Sequence, residues 1–531
     1  MAAAADPYQC RSCSDQAGPG KDECKLLMAA YILAGLAMML NIRLSYSSAP
    51  YALIRFRLPE NLFSVFVRRM ASALELWCLP SMLLGNIMEL SLKGYYKGQN
   101  YEQDWTNNGN LKTSGTSGNV TTPRHWKLGL IIVPSIICQW LNFLTYVILL
   151  FVYLAGGDHG RVTTFYWTIA ISGVVFGINM VLVYAADWNY TPVYIVGENS
   201  FPIVTSFMHY LTTLIFGNRR KWDSDYLIVM IDIGVAIIIS LVAAMVWTLA
   251  YGIYRNTKKK GAGSETVPYG HIFTEGFDTS KVHIEIISPT LMVIVGMGLV
   301  YAIYPGIAPG MIVPFYLIDK IEMVLLIATF FPPVIVALLN RGQFGDGTKE
   351  YSPKTTYQPH KDGGPDPGMG GWRAYKKHVN QDASTHNYNC NTSKENESNN
   401  LIDNRFWHAF DIILVVKISL AVIFIYSLHY RDSALSRGII NQPKMSTFLS
   451  IVFYMCHEIL LALGFPGVIG NNGGTYVVLP AQYIGAIFMI FLAFYSEGYI
   501  IEYKNHDPAR WLTEGMTHLY GYHQLNPNFL L

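Results

Sequence analysis

Along this chain, long apolar runs alternate with short polar connections, at a spacing that predicts helices crossing a membrane. A crossing helix needs about 20 mostly apolar residues, because lipid offers its backbone groups no partner outside the helix itself. By that measure the pattern predicts eleven spans, near 26–47, 66–91, 128–155, 162–186, 193–217, 226–254, 283–305, 310–340, 406–430, 445–469 and 476–501. The first, AAYILAGLAMML and its flanks, has no small-residue cleavage site ahead of a polar chain, so it reads as a retained helix and not a leader. Three polar stretches interrupt the rhythm, at 92–127, 255–282 and 341–405. Their Gly, Asn, Ser, Pro and Lys content leaves too little apolar surface for a core, which predicts mobile loops. The expected fold class is all-α, a polytopic membrane protein of about eleven helices in a 6+5 arrangement resembling the major-facilitator-like fold. Its parts are an N-terminal tail at 1–25, a six-helix bundle at 26–254, a central loop at 255–282, a five-helix bundle at 283–501 and a C-terminal tail at 502–531.

Composition agrees with the pattern. Of 531 residues, 51% are hydrophobic and only 14% are Asp, Glu, Lys or Arg, against about 25% charged in a soluble domain. A formal net charge of +2 supplies no basic stripe, so nucleic acid is not an expected partner. No phosphate-binding loop pattern occurs, nor His-Glu-x-x-His, Gly-x-Ser-x-Gly or Asp-Lys-Thr-Gly. Neither an ATP-driven pump nor an intramembrane enzyme is therefore expected, and no cofactor. Seven cysteines are present, and Cys10, Cys13 and Cys24 lack a nearby His to complete a zinc site, so no metal is expected either. Lys and Arg divide almost evenly between the two sides, while the sequons at Asn119, Asn189, Asn391 and Asn396 all fall on one side.

Ionisable side chains inside the spans are costly, at least about 2.5–3.5 kcal/mol each, and so mark candidate sites. Glu89, Asp232, Glu285, Asp411 and Glu497 lie near span ends, where a polar head can reach the interface. Asp319, Glu198 and Glu458 lie deeper. Helix breakers add a second signal, since carrier sites form where helices unwind. Tyr304-Pro305-Gly306 followed by Ala308-Pro309-Gly310 separates spans seven and eight, Pro332-Pro333 breaks span eight, and Gly464-Phe465-Pro466-Gly467 ends span ten. Gly197-Glu198-Asn199-Ser200-Phe201-Pro202 interrupts span five. Carboxylates beside broken helices point to a solute pathway.

The chain resembles a divergent equilibrative nucleoside transporter of the kind found in protozoan parasites. The likeness covers the span layout, with the central loop after the sixth span, and several loose motifs. Gly35-Leu36 with a polar break near Asn41 resembles the family's first span. Phe176-Gly177-Ile178-Asn179, Thr191-Pro192-Val193-Tyr194 and Gly197-Glu198-Asn199 resemble its fourth and fifth. Tyr304-Pro305-Gly306 resembles the motif ending its seventh, and Tyr316-Leu317-Ile318-Asp319 the first half of an aromatic-Asp-Arg motif in its eighth. The Arg is replaced by Met323, the first-span Trp-Asn pair is absent, and a fourth-span Gln has no counterpart, Asn179 being the nearest polar residue. Family topology places the N-terminus and the long loops in the cytosol, against the sequons. The resemblance implies a multi-pass plasma-membrane carrier moving nucleosides or nucleobases down their gradient by alternating access, with or without protons. Asp319, Glu198, Asn199 and Asn179 would then line the pathway, with Tyr304 or Tyr316 stacking on the base and Pro305, Gly306 and Pro202 breaking the helices. A carrier of sugars or amino acids, and a surface-interaction protein on the same scaffold, are the alternatives.

Overall fold

A computed structural model describes residues 25–59 except 48, 62–98, 127–155, 161–187, 190–252 except 219, 284–340, 401–471 and 474–505, with short pieces at 103–105, 111–113, 259–261, 264–266, 343–344, 351–354, 372 and 374–376. The asparagines of all four sequons, and Cys10, Cys13 and Cys24, lie outside them.

The described chain is helical apart from three two-stranded antiparallel ribbons of three-residue strands, one in each polar stretch. The first six long helices are α1 Lys25–Ser47, α3 Phe63–Gly98, α4 Val133–Ala155, α5 Arg161–Ala186, α6 Thr191–Phe216 and α7 Ser224–Gly252, with a short α2 Ala49–Arg55 after the first. Then follow α8 Ile287–Ile303, α9 Phe315–Ala328, α10 Phe331–Asn340, α11 Asp411–His429, short α12 Ala434–Ile440, α13 Pro443–Gly470 and α14 Gly474–Asn505. Eight of the described helical stretches are long and apolar enough to cross a membrane. At the other three expected spans a helix is present as well: Lys25–Ser47, Thr191–Phe216 and the pair Phe315–Ala328 and Phe331–Asn340.

The side-chain pattern on α4 shows what surrounds the bundle. Its buried face carries Ser135, Gln139, Asn142, Thr145 and Tyr146, whereas Ile137, Leu141, Leu144, Ile148 and Phe151 are exposed. A helix that is polar inside and apolar outside reverses the soluble pattern. The protein is a multi-pass membrane protein whose outer surface is made for lipid.

Inside, helices approach through glycine. Gly173 and Gly177, four residues apart on α5, face the backbone of α3: a Cβ would lie 2.2 Å from the Leu74 carbonyl at the first and 2.4 Å from that of Cys78 at the second. Small residues at this spacing let membrane helices close to backbone contact. Gly197 on α6 likewise meets the Ile32 carbonyl, and Gly35 on α1 meets that of Tyr194. This contact explains why the expected interruption at Gly197–Pro202 is absent: α6 runs through it, and its glycine serves a helix crossing instead of a break. Likewise α13 passes Pro466 and ends only at Gly470. The break expected at 304–310 is present, since α8 stops at Ile303 and α9 starts at Phe315. The one expected at Pro332-Pro333 falls just before them, at 329–330, with both prolines in the first turn of α10, where a missing N–H costs no helical bond.

The stretch at 341–405 differs from its expectation of a loop without buried groups. Trp372 is fully buried against Gly467 and Pro289, and its backbone N–H donates to Asn471 Oδ1 at 3.1 Å. Trp407 joins it, donating its indole N–H to the Tyr351 carbonyl at 3.1 Å. Ser352 donates to Asn340. A polar average composition says little about one tryptophan that finds a glycine-floored slot.

Candidate functional site

The first six long helices pack mainly on one another, and so do α8, α11, α13 and α14. The two sets meet along two seams, α3 against α14, and α6 against α9, α10 and α13. Both seams hold ionisable or aromatic groups, at opposite ends of the bundle.

At the first seam, Arg68 of α3 is fully buried. Its Nη2 lies 3.3 Å from Glu75 Oε2, its Nη1 donates to the Tyr301 carbonyl of α8 at 2.6 Å, and its guanidinium carbon sits 5.9 Å from the Tyr301 ring. Glu497 of α14 accepts from Ser72 at 3.0 Å and pairs with Arg69 at 3.6 Å. Lys504 donates to Ser64 at 2.7 Å. Gly306, in the helix-free segment after α8, packs beside Arg68 and Ile500.

At the second seam, Tyr184 of α5 meets Phe465 of α13 with ring centroids 5.7 Å apart and Tyr194 of α6 at 5.4 Å. Glu198 is buried one turn beyond Tyr194, close enough to act electrostatically on both tyrosine hydroxyls. Counting from the helix start, Glu198 lies about 10 Å along α6. A carboxylate under an aromatic cover offers a hydrogen-bond acceptor and flat faces in one place.

The other sequence candidates separate. Asn179 is fully buried within the first set of helices, accepting from Gln139 Nε2 at 3.4 Å and donating to Met38 Sδ at 2.9 Å. Nearby, Asn142 and Tyr146 both donate to the Ala37 carbonyl, at 3.0 and 2.9 Å. Tyr304 is buried with its ring centroid 4.6 Å from that of Tyr454, which in turn meets His457. Tyr316 is 67% exposed, on the same face of α9 as Val324 and Ile327, so it does not share the packed surroundings of Tyr304. The side chains of Asp319, Asn199 and Pro202 lie outside the described residues. Pro305 and Gly306 lie in the helix-free segment, as expected.

Sequence reasoning missed Arg68, which reads as one of two loop arginines beside a span. It also passed over Gln139, the partner of Asn179. Two further buried clusters sit within the halves. His209 Nδ1 lies 2.7 Å from Asp232 Oδ2, with Tyr51 edge-on to the imidazole. Lys417 and His457 both donate to the Gly296 carbonyl, at 2.6 and 2.7 Å. Among the described residues no group of three His, Cys, Asp or Glu could hold a metal. An open groove of about 460 Å³ lies at the start of α8 and α11, where Ser288 donates to Asp411 at 2.5 Å between apolar walls.

No protein-family model matches this sequence, and no curated protein does. Among solved structures, the chain is similar to the major facilitator superfamily proton:xylose symporter XylE bound to 6-bromo-6-deoxy-D-glucose, at 12% identity over 90% of this chain and 89% of that one, with a TM-score of 0.44. It is also similar to a bacterial homologue of the iron transporter ferroportin in an outward-facing state, at 10% identity over 90% and 99%, with a TM-score of 0.32. Likeness at that level assigns neither a fold family nor a cargo.

Proposed function

We propose that this protein is a membrane solute carrier whose halves, 26–254 and 283–501, rock about a site between the two seams. The observation that carries the reading is the Arg68–Glu75 pair, buried on α3 and bonded to the backbone of α8 in the other half. Burying two charges where apolar residues would pack at lower cost is hard to account for by stability. At a moving interface, such a pair holds one end closed and can let it open. The buried carboxylate at the other seam, Glu198 beside the hydroxyls of Tyr184 and Tyr194, suits a cargo with hydroxyls and a flat ring.

Nucleosides or nucleobases combine those features, and they are the proposed cargo. Glu198 would accept from sugar hydroxyls, Tyr304 would present a ring face, and Asp319 and Asn199 stay with them as candidate contacts. Asn179 would act at one remove, by holding α1, α4 and α5 in register. Buried acceptors of this kind discriminate strongly, because an analogue lacking the hydroxyl leaves them unpaired. The test is uptake of labelled adenosine and hypoxanthine by cells lacking their own nucleoside carriers, with surface delivery checked by labelling. Uptake above the empty-vector level supports the reading; none, from a protein correctly delivered to the plasma membrane, overturns the nucleoside assignment.

A further inference from the structure

Gln482 is a buried polar group that the site described above leaves unused. It sits in α14 with no exposed surface, and neither its amide nitrogen nor its amide oxygen has a hydrogen-bond partner among the described residues. One turn further along, Gly485 packs on Ile294 and Met297 of α8. On its other flank α14 runs antiparallel to α3, in a register fixed by Lys504 on Ser64 and Glu497 on Ser72. Continued along the pair, that register brings Gln482 level with Asn86 and Glu89, both buried. Asn86 spends its amide nitrogen on its own helix, donating to the Met82 carbonyl at 2.9 Å. Gln482 thus lies on the seam between the halves, about 12 Å along its helix, at a depth where an unpaired amide is costly and a leucine is not.

A glutamine amide presents one acceptor and two donors in a single plane. Its complement is a neutral group with a donor and an acceptor side by side, the arrangement on the edge of a nucleobase. A lone charge on the cargo would be poorly matched by a neutral amide. We propose that Gln482 is a cargo-recognition residue that reads the donor–acceptor edge of a nucleobase. This inference rests on the carrier reading and adds to it a contact on the base, where Glu198 addresses the sugar.

The experiment uses full-length protein in proteoliposomes, with labelled hypoxanthine and inosine as probes and ribose as the cargo without a base. Thermal unfolding of each purified variant is measured alongside. In Gln482→Leu, KM for hypoxanthine and for inosine is expected to rise about tenfold or more, while the melting temperature holds or rises because an unpaired amide is gone. Gln482→Asn, which keeps the amide at a shorter reach, is expected to fall between Leu and wild type. Transport loss with preserved or increased stability is a combination that a structural role does not produce. An unchanged KM in Gln482→Leu overturns the inference and leaves the carrier reading standing, as does an equal loss of any ribose uptake. A lowered melting temperature that tracks the loss of uptake in both Gln482→Leu and Gln482→Met assigns the residue to packing and overturns it too. Absence of hypoxanthine and inosine uptake by the wild type overturns the nucleobase cargo, and this inference with it.

Discussion

Replacing Arg68 by methionine removes three contacts at once: the 3.3 Å pair with Glu75, the 2.6 Å bond to the Tyr301 carbonyl and the packing on the Tyr301 ring. What it leaves behind matters more. Glu75 is 2% exposed, and its Oε1 already has no hydrogen-bond partner among the described residues. With Arg68 gone, the carboxylate loses its compensating cation as well. Stranding one member of a buried pair costs about 3–5 kcal/mol, whereas replacing both by apolar residues of similar volume is often neutral or stabilising. The double variant Arg68→Met/Glu75→Met is therefore expected to regain most of what the single variant loses. Unfolding titrations of the purified protein in mixed micelles, run on wild type, both singles and the double, give the coupling directly. If Arg68→Met costs less than about 1 kcal/mol, or if the double variant is as unstable as the two singles added together, the pair is not the closed, mutually dependent unit described here. Transport assays on the same set separate the two roles: a stable double variant that no longer carries cargo is the result expected of a gate.

Other expectations follow from close contacts. Gly173→Val places methyl groups where a Cβ alone already lies 2.2 Å from the Leu74 carbonyl, and is expected to cost about 1–3 kcal/mol in the same titration. Trp372→Ala empties the slot above Gly467, at about 3–5 kcal/mol for the surrounding cluster; limited proteolysis within 341–405 should accelerate. Phe465→Ala removes the aromatic cover over Tyr184, so a thiol placed by Glu198→Cys is expected to react faster with a water-soluble maleimide in that background than alone. Glu198→Gln, near in shape but a weaker acceptor, is expected to reduce adenosine uptake about tenfold while sparing base-only cargo; equal loss for adenosine and hypoxanthine would place Glu198 off the sugar.

The helices were legible because lipid imposes one strong rule, that a crossing segment be long, apolar and internally bonded. Each expected span has a helix at its place. The break was legible where two prolines fall close together: Pro305 and Pro309 both lie in 304–314, which is free of helix. At Gly197 the same composition signal misled, because a glycine's missing Cβ serves two opposite purposes: it loosens a lone helix, and it lets two helices touch backbone to backbone. Only the position of Ile32, on a helix far away in sequence, decides between them.

Charge shows the same limit from the other side. Arg68 and Arg69 are adjacent in sequence and equivalent on any hydropathy measure, yet Arg68 is fully buried while Arg69 is 40% exposed. On a helix, adjacent residues point about 100° apart, so the two must face different surroundings. Arg68 turns toward α8, where the Tyr301 carbonyl and the carboxylate of Glu75, two turns along its own helix, wait for it; Arg69 turns outward and takes Glu497 at 3.6 Å. Spacing did carry a hint, since seven residues separate Arg68 from Glu75 and place them on one stripe. The missing information was that another helix closes over that stripe. A charge near a span end is a snorkelling side chain if lipid lies beside it and, on the carrier reading proposed above, a gate if the other set of helices closes over it. For Arg68, it is the Tyr301 carbonyl, on a helix of that other set, that decides which.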